Sequence, residues 1–153
     1  MPKPFWKEKP LEALSPAEWE SLCDGCGKCC LHKLEDEDTG RVHLTAVACR
    51  LLDLESGRCR HYATRARRVA ACVRIRPDNV RSLALPATCA YRRLAEGKPL
   101  PPWHPLRTGD AGSTRAAGAS VQGWAVSERD VSDADLPNFV ISARTLARRA
   151  GRR

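Results

Sequence analysis

The feature that most constrains this chain of 153 residues is a run of four cysteines within eight positions, spaced C-x2-C-x2-C-C from Cys23 to Cys30. Sulfurs this close in sequence can turn toward one centre at little cost in loop-closure entropy. Gly25 and Gly27 fill two of the gaps and allow backbone conformations that other residues rarely adopt. Single cysteines are common in protein cores, whereas such a cluster is typical of metal binding.

Four more cysteines follow between positions 49 and 89, and none occurs later in the chain. In a reducing compartment, clustered thiols bind metal or carry out redox chemistry. We therefore predict that the metal ligands come from the eight cysteines, which are Cys23, Cys26, Cys29, Cys30, Cys49, Cys59, Cys72 and Cys89.

Two kinds of metal centre fit this spacing. Eight thiolates suffice for two closed, tetrahedral zinc sites, which would be structural because no coordination position stays open. Alternatively, Cys23, Cys26 and Cys29 match the three-cysteine run of ferredoxin-type iron–sulfur clusters. The usual fourth cysteine, which precedes a proline, is missing, and Cys30 follows at once instead. Zinc and an iron–sulfur cluster therefore both remain as cofactors.

The N-terminal segment and the hydropathy of the chain predict a cytoplasmic location. The first ten residues contain three prolines and lack the apolar core of a secretory signal. No run of eighteen apolar residues could form a transmembrane helix, so we expect no membrane partner.

The formal net charge of +8 is a weak argument for nucleic-acid binding. Five arginines lie after residue 143, and metal-bound thiolates would lower the charge further. Few aromatic residues are interleaved with the arginines, which disfavours a nucleic-acid partner. The sequence leaves a protein partner open and predicts a metal ion as the first partner.

A helix is predicted immediately before the cysteine run. Ser15 is a suitable N-cap, Pro16 suits the first helical position and Glu18 completes a capping box. The helix is expected to run to about Leu22.

Short elements and turns alternate in the rest of the chain. Residues 31–45 predict a hairpin around the acidic turn 36–40, and residues 49–60 predict a second hairpin with Cys49 and Cys59 near its open end. Helices are predicted over 62–73 and 87–96, with Cys89 in the first turn of the latter, and a strand over 121–126. We therefore predict an α+β fold: a small, irregular, loop-rich single domain with short helices and hairpins around a cysteine-bound metal centre. It covers residues 1–140, and residues 141–153 form a flexible basic tail.

The proline-rich segment of residues 98–105 predicts an extended wrap with Trp103 packed inward. His104 lies in this segment, and we expect it to be a structural polar anchor rather than a metal ligand.

Several segments together resemble the small bacterial CxxCxxCC cysteine-cluster proteins of the YcgN type. They are Pro4–Trp6, Leu14–Leu34, Val47–Arg50, Cys59–Tyr62, Leu85–Arg92 and Leu100–Leu106. The resemblance covers about residues 4 to 130. It implies zinc or iron chelation at Cys23, Cys26, Cys29 and Cys30, with the later cysteines as partners, and it implies no reaction.

These observations lead to a cytoplasmic cysteine-cluster metal-binding protein, with redox or metal sensing as its suggested role. The alternative is an interaction module in which zinc is structural and the arginines or the proline-rich segment bind a protein or nucleic acid. A third hypothesis is an enzyme that uses an open metal position or a free thiol, and no catalytic motif supports it.

Overall fold

The structure is a computed structural model, which describes residues 3–69, 72 and 74–141. In chain order, its α-helices are α1 (Phe5–Glu8), α2 (Pro16–Ser21), α3 (Arg65–Arg68), α4 (Ala90–Ala95), α5 (Pro105–Thr108) and α6 (Ser113–Ala116). The strands are β1 (Leu31–Glu35), β2 (Val42–Ala48), β3 (Val126–Ser127) and β4 (Val140–Ile141). Short 3₁₀ helices cover Leu11–Ala13, Lys28–Cys30, Tyr62–Thr64, Glu128–Asp130 and Asp133–Phe139. This is the α+β, loop-rich class that the sequence predicts.

The chain divides into two compact units that are interleaved along the sequence. The helical unit consists of residues 1–24 and 74–113, and the sheet unit consists of residues 25–73 and 114–153. The predicted extent of the domain, residues 1–140, stays a prediction. Most of the predicted basic tail, residues 142–153, lies outside the described residues.

The helical unit has a conventional apolar core. Its buried hydrophobic residues are Leu11, Leu22, Val80, Leu85, Ala90, Tyr91 and Leu100. Trp19 packs on Tyr91 with ring centroids 4.7 Å apart. The Tyr91 hydroxyl donates to the Trp19 carbonyl at 2.7 Å, so this aromatic pair has a defined position.

Helix α2 begins as predicted. The Ser15 side chain accepts a hydrogen bond from the Glu18 amide, and the Glu18 carboxylate accepts one from the Ser15 amide. Pro16 occupies the first turn, where its missing N–H has no partner to lose. The capping box is therefore confirmed.

Strand β2 lies at the centre of the sheet. β1 pairs with it antiparallel, which confirms the first predicted hairpin. β3 pairs parallel with its end at Val47–Ala48, and β4 pairs antiparallel at Leu44–Thr45. The apolar cluster of this unit consists of Leu31, Ala48, Leu52 and Val121, with Cys30 packed against it, and Val47, Leu51, Ala117 and Ala119 are buried outside this cluster.

Other predicted elements are shorter than expected. The second hairpin contains a single β-bridge, between Leu52 and Cys59. The helix predicted over 62–73 ends at Arg68, because Val69 is extended (φ −132°, ψ 108°), and residues 70, 71 and 73 lie outside the described residues. Helix α4 begins at Ala90 rather than at residue 87, so Cys89 precedes it as the N-cap.

The strand predicted over 121–126 is wrong. The Val121 carbonyl accepts hydrogen bonds from the amides of Trp124 and Ala125, which closes a turn. Gly123 allows this turn because its φ is +91°, a value that favours glycine. Only Val126–Ser127 is extended and paired.

Within the described residues, no helix is long and apolar enough to cross a membrane.

Candidate metal centre

The cysteine run forms a loop that connects α2 to β1. The Cys23 amide donates to the Glu20 carbonyl at 3.3 Å, so the run starts directly at the end of the helix. Gly25 and Gly27 have φ values of +74° and +77°. After Gly27, the residues Lys28–Cys30 form a 3₁₀ turn that leads straight into β1.

At position 27, glycine is needed for its lack of a side chain as well as for its backbone conformation. A Cβ atom at this position would lie 2.7 Å from Cγ2 of Val121, closer than such atoms approach each other in proteins. The neighbouring Cys26 carbonyl accepts a hydrogen bond from the Val121 amide at 2.8 Å. The loop therefore lies directly against the core of the sheet unit, whereas a Cβ at Gly25 would meet no atom within 4 Å.

Backbone hydrogen bonds bring three cysteine segments together in the sheet unit. The Cys49 amide donates to the Cys30 carbonyl at 2.8 Å. Leu52, whose amide donates to the Cys49 carbonyl at 2.9 Å, forms the β-bridge with Cys59. Cys30, Cys49 and Cys59 therefore lie on adjoining segments although they are far apart in sequence.

The thiols of these segments act on one another electrostatically. The pKa of Cys29 is lowered to about 7, mainly because its sulfur accepts a hydrogen bond from the Cys30 thiol; burial of the sulfur opposes this shift, and the charges of Lys33 and Arg65 add to it. The same hydrogen bond raises the pKa of Cys30, as do burial and the nearby sulfurs of Cys29, Cys49 and Cys59. Burial also raises the pKa of Cys49. A positive ion among these sulfurs would reverse the penalty on their ionisation.

The donor set fits zinc or an iron–sulfur cluster, since both prefer thiolate sulfur. Among residues 3–69, 72 and 74–141, no three His, Cys, Asp or Glu side chains are already arranged to hold a metal ion. Cys29 and Cys30 are instead hydrogen-bonded to each other. The set of eight cysteine ligands therefore stays a prediction.

The other four cysteines are divided between the units. Cys26 and Cys72 belong to the sheet unit, and both are partly buried. Cys23 and Cys89 belong to the helical unit, where Cys23 is exposed and Cys89 packs partly buried against the core. Sequence spacing groups Cys23 with Cys26, but the boundary between the units falls at residues 24 and 25.

Sequence reasoning missed Glu128, which lies beside the thiol segments. One oxygen of its carboxylate accepts the Arg50 amide at 2.6 Å, and the other lies 3.5 Å from Nε2 of His32. Its charge also raises the pKa of the neighbouring Cys49. No local pattern predicts this contact, because Glu128 is 78 residues from Arg50.

His104 is a buried anchor of the helical unit, as the sequence predicts. Its side chain is 0% exposed. Nδ1 accepts the Leu106 amide at 3.0 Å, so the ring proton lies on Nε2, which donates to the Leu22 carbonyl at 2.7 Å. Both nitrogens are thereby satisfied, and the ring fixes the last residue before the cysteine run.

Trp103 is half-buried and anchors the proline-rich segment. Its indole N–H lies 3.3 Å from a carboxylate oxygen of Asp24. This contact confirms that Trp103 faces the protein. The hypothesis that the arginines or the proline-rich segment bind a partner stays a prediction.

A family model matches the region that contains the cysteine run, and similar known proteins match most of the chain. Residues 22–90 match a family model described as "CxxCxxCC: Putative zinc- or iron-chelating domain". A UPF0260 protein of Rhizorhabdus wittichii is 58% identical over 132 residues, which cover 86% of this chain and 90% of that protein. The chain belongs to the UPF0260 family.

Further UPF0260 relatives agree with this assignment. One from Rhodobacter capsulatus is 53% identical over 141 residues, covering 91% of this chain and 95% of that protein. Another from Cellvibrio japonicus is 54% identical over 138 residues, covering 90% and 94%. No solved structure matches the chain. The resemblance to the CxxCxxCC family is therefore confirmed, and the description of that family model names zinc or iron chelation without assigning a reaction.

Proposed function

We propose that this chain is a cytoplasmic metal-binding protein whose thiolates hold zinc or an iron–sulfur cluster. One observation carries the proposal: backbone hydrogen bonds join the Cys49 amide to the Cys30 carbonyl at 2.8 Å and Leu52 to the Cys49 carbonyl, and Leu52 forms the β-bridge with Cys59. Four soft ligands in one small region are the number that either kind of centre requires.

Cys29, Cys30, Cys49 and Cys59 are the best-supported ligands, and all belong to the sheet unit. Lys33 and Arg65 stabilise negative charge at Cys29, which assists its ionisation before it binds a metal. Glu128 fixes the Arg50 amide and thereby the start of the segment that follows Cys49. We also propose Cys23, Cys26, Cys72 and Cys89 as metal ligands, on the sequence alone.

The identity of the metal decides the role of the centre. Bound zinc would contribute its binding free energy to folding, whereas a bound iron–sulfur cluster would supply a one-electron redox couple. In both cases the protein's residues supply charge compensation and a partly buried setting. We propose redox or metal sensing for a cluster and a structural role for zinc.

The deciding experiment is purification without oxygen, followed by an absorption spectrum and elemental analysis per chain. A brown protein with iron and acid-labile sulfide indicates a cluster. A colourless protein with one or two zinc ions indicates a structural centre. A protein that contains neither metal and takes up neither in reconstitution contradicts the proposal.

Two substitutions separate ligands from cysteines that only pack. Cys30→Ser is expected to lower the metal content by at least one ion or one cluster per chain. Cys89→Ser is the matched change in the helical unit: a loss of metal there supports Cys89 as a ligand, and an unchanged content excludes it. Unchanged metal content in Cys30→Ser would contradict the proposed centre.

A further inference from the structure

The segment Tyr62–Arg68 forms a basic surface on the sheet unit. It contains three arginines and no acidic residue. The 3₁₀ turn Tyr62–Thr64 leads directly into α3, so the segment is helical throughout. Arg67 and Arg68 are exposed, and so is Tyr62. We call this segment the arginine turn.

Neutral oxygens hold the guanidinium groups of the arginine turn. Nη1 of Arg65 donates to the Tyr62 carbonyl at 2.6 Å, and Nε of Arg68 donates to the Thr64 hydroxyl at 3.1 Å. Nη2 of Arg50 donates to the Arg68 carbonyl at 2.8 Å, which brings a further positive charge to the turn. Neutral acceptors fix these groups without cancelling their charge, and a guanidinium has further N–H donors for a ligand.

Arginines of the helical unit are engaged differently. Three of them are paired with carboxylates, and the pairs are Arg76–Asp78, Arg81–Glu12 and Arg92–Glu96. Among the residues that the structure describes, no carboxylate forms an ion pair with an arginine of the arginine turn. The charge of the turn therefore favours an external polyanion, and the planar guanidinium fork matches phosphate groups.

Tyr62 adds an exposed aromatic plane to these charges. The Arg65 guanidinium lies 3.8 Å from the centre of the Tyr62 ring, and Tyr62 is 48% exposed. Although the chain has few aromatic residues, this one lies among the arginines. Nucleic-acid bases stack both on aromatic rings and on guanidinium planes. The arrangement thus fits an anion that carries planar rings along a phosphate chain, which an acidic peptide or a lipid head group does not.

We propose that the arginine turn binds single-stranded RNA, with phosphates at its arginines and a base stacked at the Tyr62–Arg65 pair. A duplex fits less well, because proteins read it by placing a helix or a β-ribbon in a groove, and α3 has only four residues. RNA is the nucleic acid that proteins recognise mainly through unstacked bases. This function goes beyond metal binding and does not depend on which metal the thiols hold.

Fluorescence anisotropy with a labelled single strand of RNA tests the proposal, and a strand of about 12 nucleotides is long enough. The full chain is used as purified, and the metal content of each variant is measured alongside. Tyr62→Ala should lower the affinity about tenfold, because one stacked base is lost. Tyr62→Phe keeps the ring and should bind within about twofold of the wild type.

Arg68→Ala and Arg76→Ala form a matched pair. Both side chains are exposed, and each uses Nε in a hydrogen bond of 3.1 Å, Arg68 to a hydroxyl and Arg76 to a carboxylate. Losing one phosphate contact reduces the salt slope by about 0.7, which at about 0.1 M salt is roughly a fivefold loss of affinity. We expect this loss in Arg68→Ala and little change in Arg76→Ala. Both variants keep the arginines after residue 143, so the contribution of these arginines is the same in each.

An equal loss of affinity in Arg68→Ala and Arg76→Ala would overturn the proposal, because binding would then follow net charge alone. An unchanged affinity in Tyr62→Ala would overturn it too, as would tighter binding of a duplex or of a DNA strand of the same sequence. Equal binding of polyglutamate, or no binding of RNA by the wild type, has the same consequence. The metal content is an independent readout: a chain that binds RNA but neither zinc nor iron refutes only the metal-binding function.

Discussion

The helical unit and the sheet unit differ in how their buried hydrophobic side chains are grouped and in how many cysteines they contain. Seven buried hydrophobic side chains form the core of the helical unit, including four leucines and a tyrosine, and a stacked tryptophan packs against it. Among the described residues, the sheet unit has eight buried hydrophobic side chains, but three are alanines and only four of the eight belong to one cluster. At about 1.5–3 kcal/mol for each large side chain, five in the sheet unit against six in the helical unit give the sheet unit a slightly smaller gain from apolar burial.

The same sheet unit contains six of the eight cysteines. Small units commonly rely on metal or disulfide cross-links. We therefore expect bound metal to stabilise the sheet unit, which contains most of the thiols, more than the helical unit, whose buried residues form one larger apolar cluster.

Removal of bound metal is expected to produce the largest difference in stability between the two units. We expect amide hydrogen exchange in β2 to accelerate at least a hundredfold, which corresponds to about 3 kcal/mol of lost local stability. Exchange in α2 and α4 should change much less. The measurement is hydrogen exchange by mass spectrometry on metal-loaded and metal-free protein. Equal acceleration in both units would show that the asymmetry is absent.

His104→Ala tests the opposite half of the comparison. The change leaves a cavity and orphans the buried Leu22 carbonyl and the Leu106 amide, so we expect a loss of about 3–4 kcal/mol in the free energy of unfolding. Urea denaturation followed by tryptophan fluorescence measures it. The metal content of the folded variant should equal that of the wild type, and a loss of metal without a loss of stability would contradict the anchoring role.

Two glycines of the cysteine loop sharpen the comparison within the sheet unit. Gly27→Ala combines a left-handed φ with the contact to Val121, so we expect a cost of about 2–4 kcal/mol. Gly25→Ala has the same kind of φ and open space around it, and should cost about 1 kcal/mol. Thermal unfolding of the metal-loaded variants measures the difference. Equal costs would mean that the Gly27 contact relaxes without penalty.

The smallest expected effect concerns a single hydroxyl in the helical core. Tyr91→Phe removes the hydrogen bond to the Trp19 carbonyl and should cost about 1 kcal/mol. Tyr62→Phe is the matched control, because this ring is 48% exposed, and it should be neutral within about 0.5 kcal/mol. Denaturation midpoints of the two variants provide the test. A larger loss of stability in Tyr62→Phe than in Tyr91→Phe would mean that the Tyr62 hydroxyl, at the surface of the sheet unit, contributes more to stability than the buried one.

The elements that the sequence predicts correctly are those determined by neighbouring residues. The capping box of Ser15 and Glu18 spans one turn, and the hairpin of β1 and β2 is specified by its alternation and its tight acidic turn. Both depend on contacts between residues close in sequence, which patterns of propensity describe well.

The misplaced elements depend on contacts with distant residues. Val121 is of a residue type that favours strands, but its amide donates a hydrogen bond to the Cys26 carbonyl and its side chain packs against Gly27. The parallel pairing of β3 with β2 joins residues almost 80 positions apart, and no local signal specifies it.

In the candidate centre, too, the sequence predicts what neighbouring residues determine and misses what contacts between distant residues determine. The spacing of the cysteine run predicts thiolate chemistry, because four sulfurs in eight residues have few other uses. It does not predict that Cys49 and Cys59 lie beside Cys30, since backbone hydrogen bonds and a β-bridge within the sheet unit arrange this. No feature of the sequence predicts that Glu128 contacts Arg50 and His32.

The interleaving of the two units also has a consequence for biosynthesis. All six cysteines of the sheet unit lie before residue 73, whereas β3 and β4 begin at Val126 and Val140. At about 5–20 residues per second, a ribosome finishes the sheet roughly 3–14 s after it has made the last of these thiols. The nascent chain thus presents these six thiols before it has β3 and β4. Any metal ion or oxidant present during those seconds meets the thiols while the sheet is still incomplete.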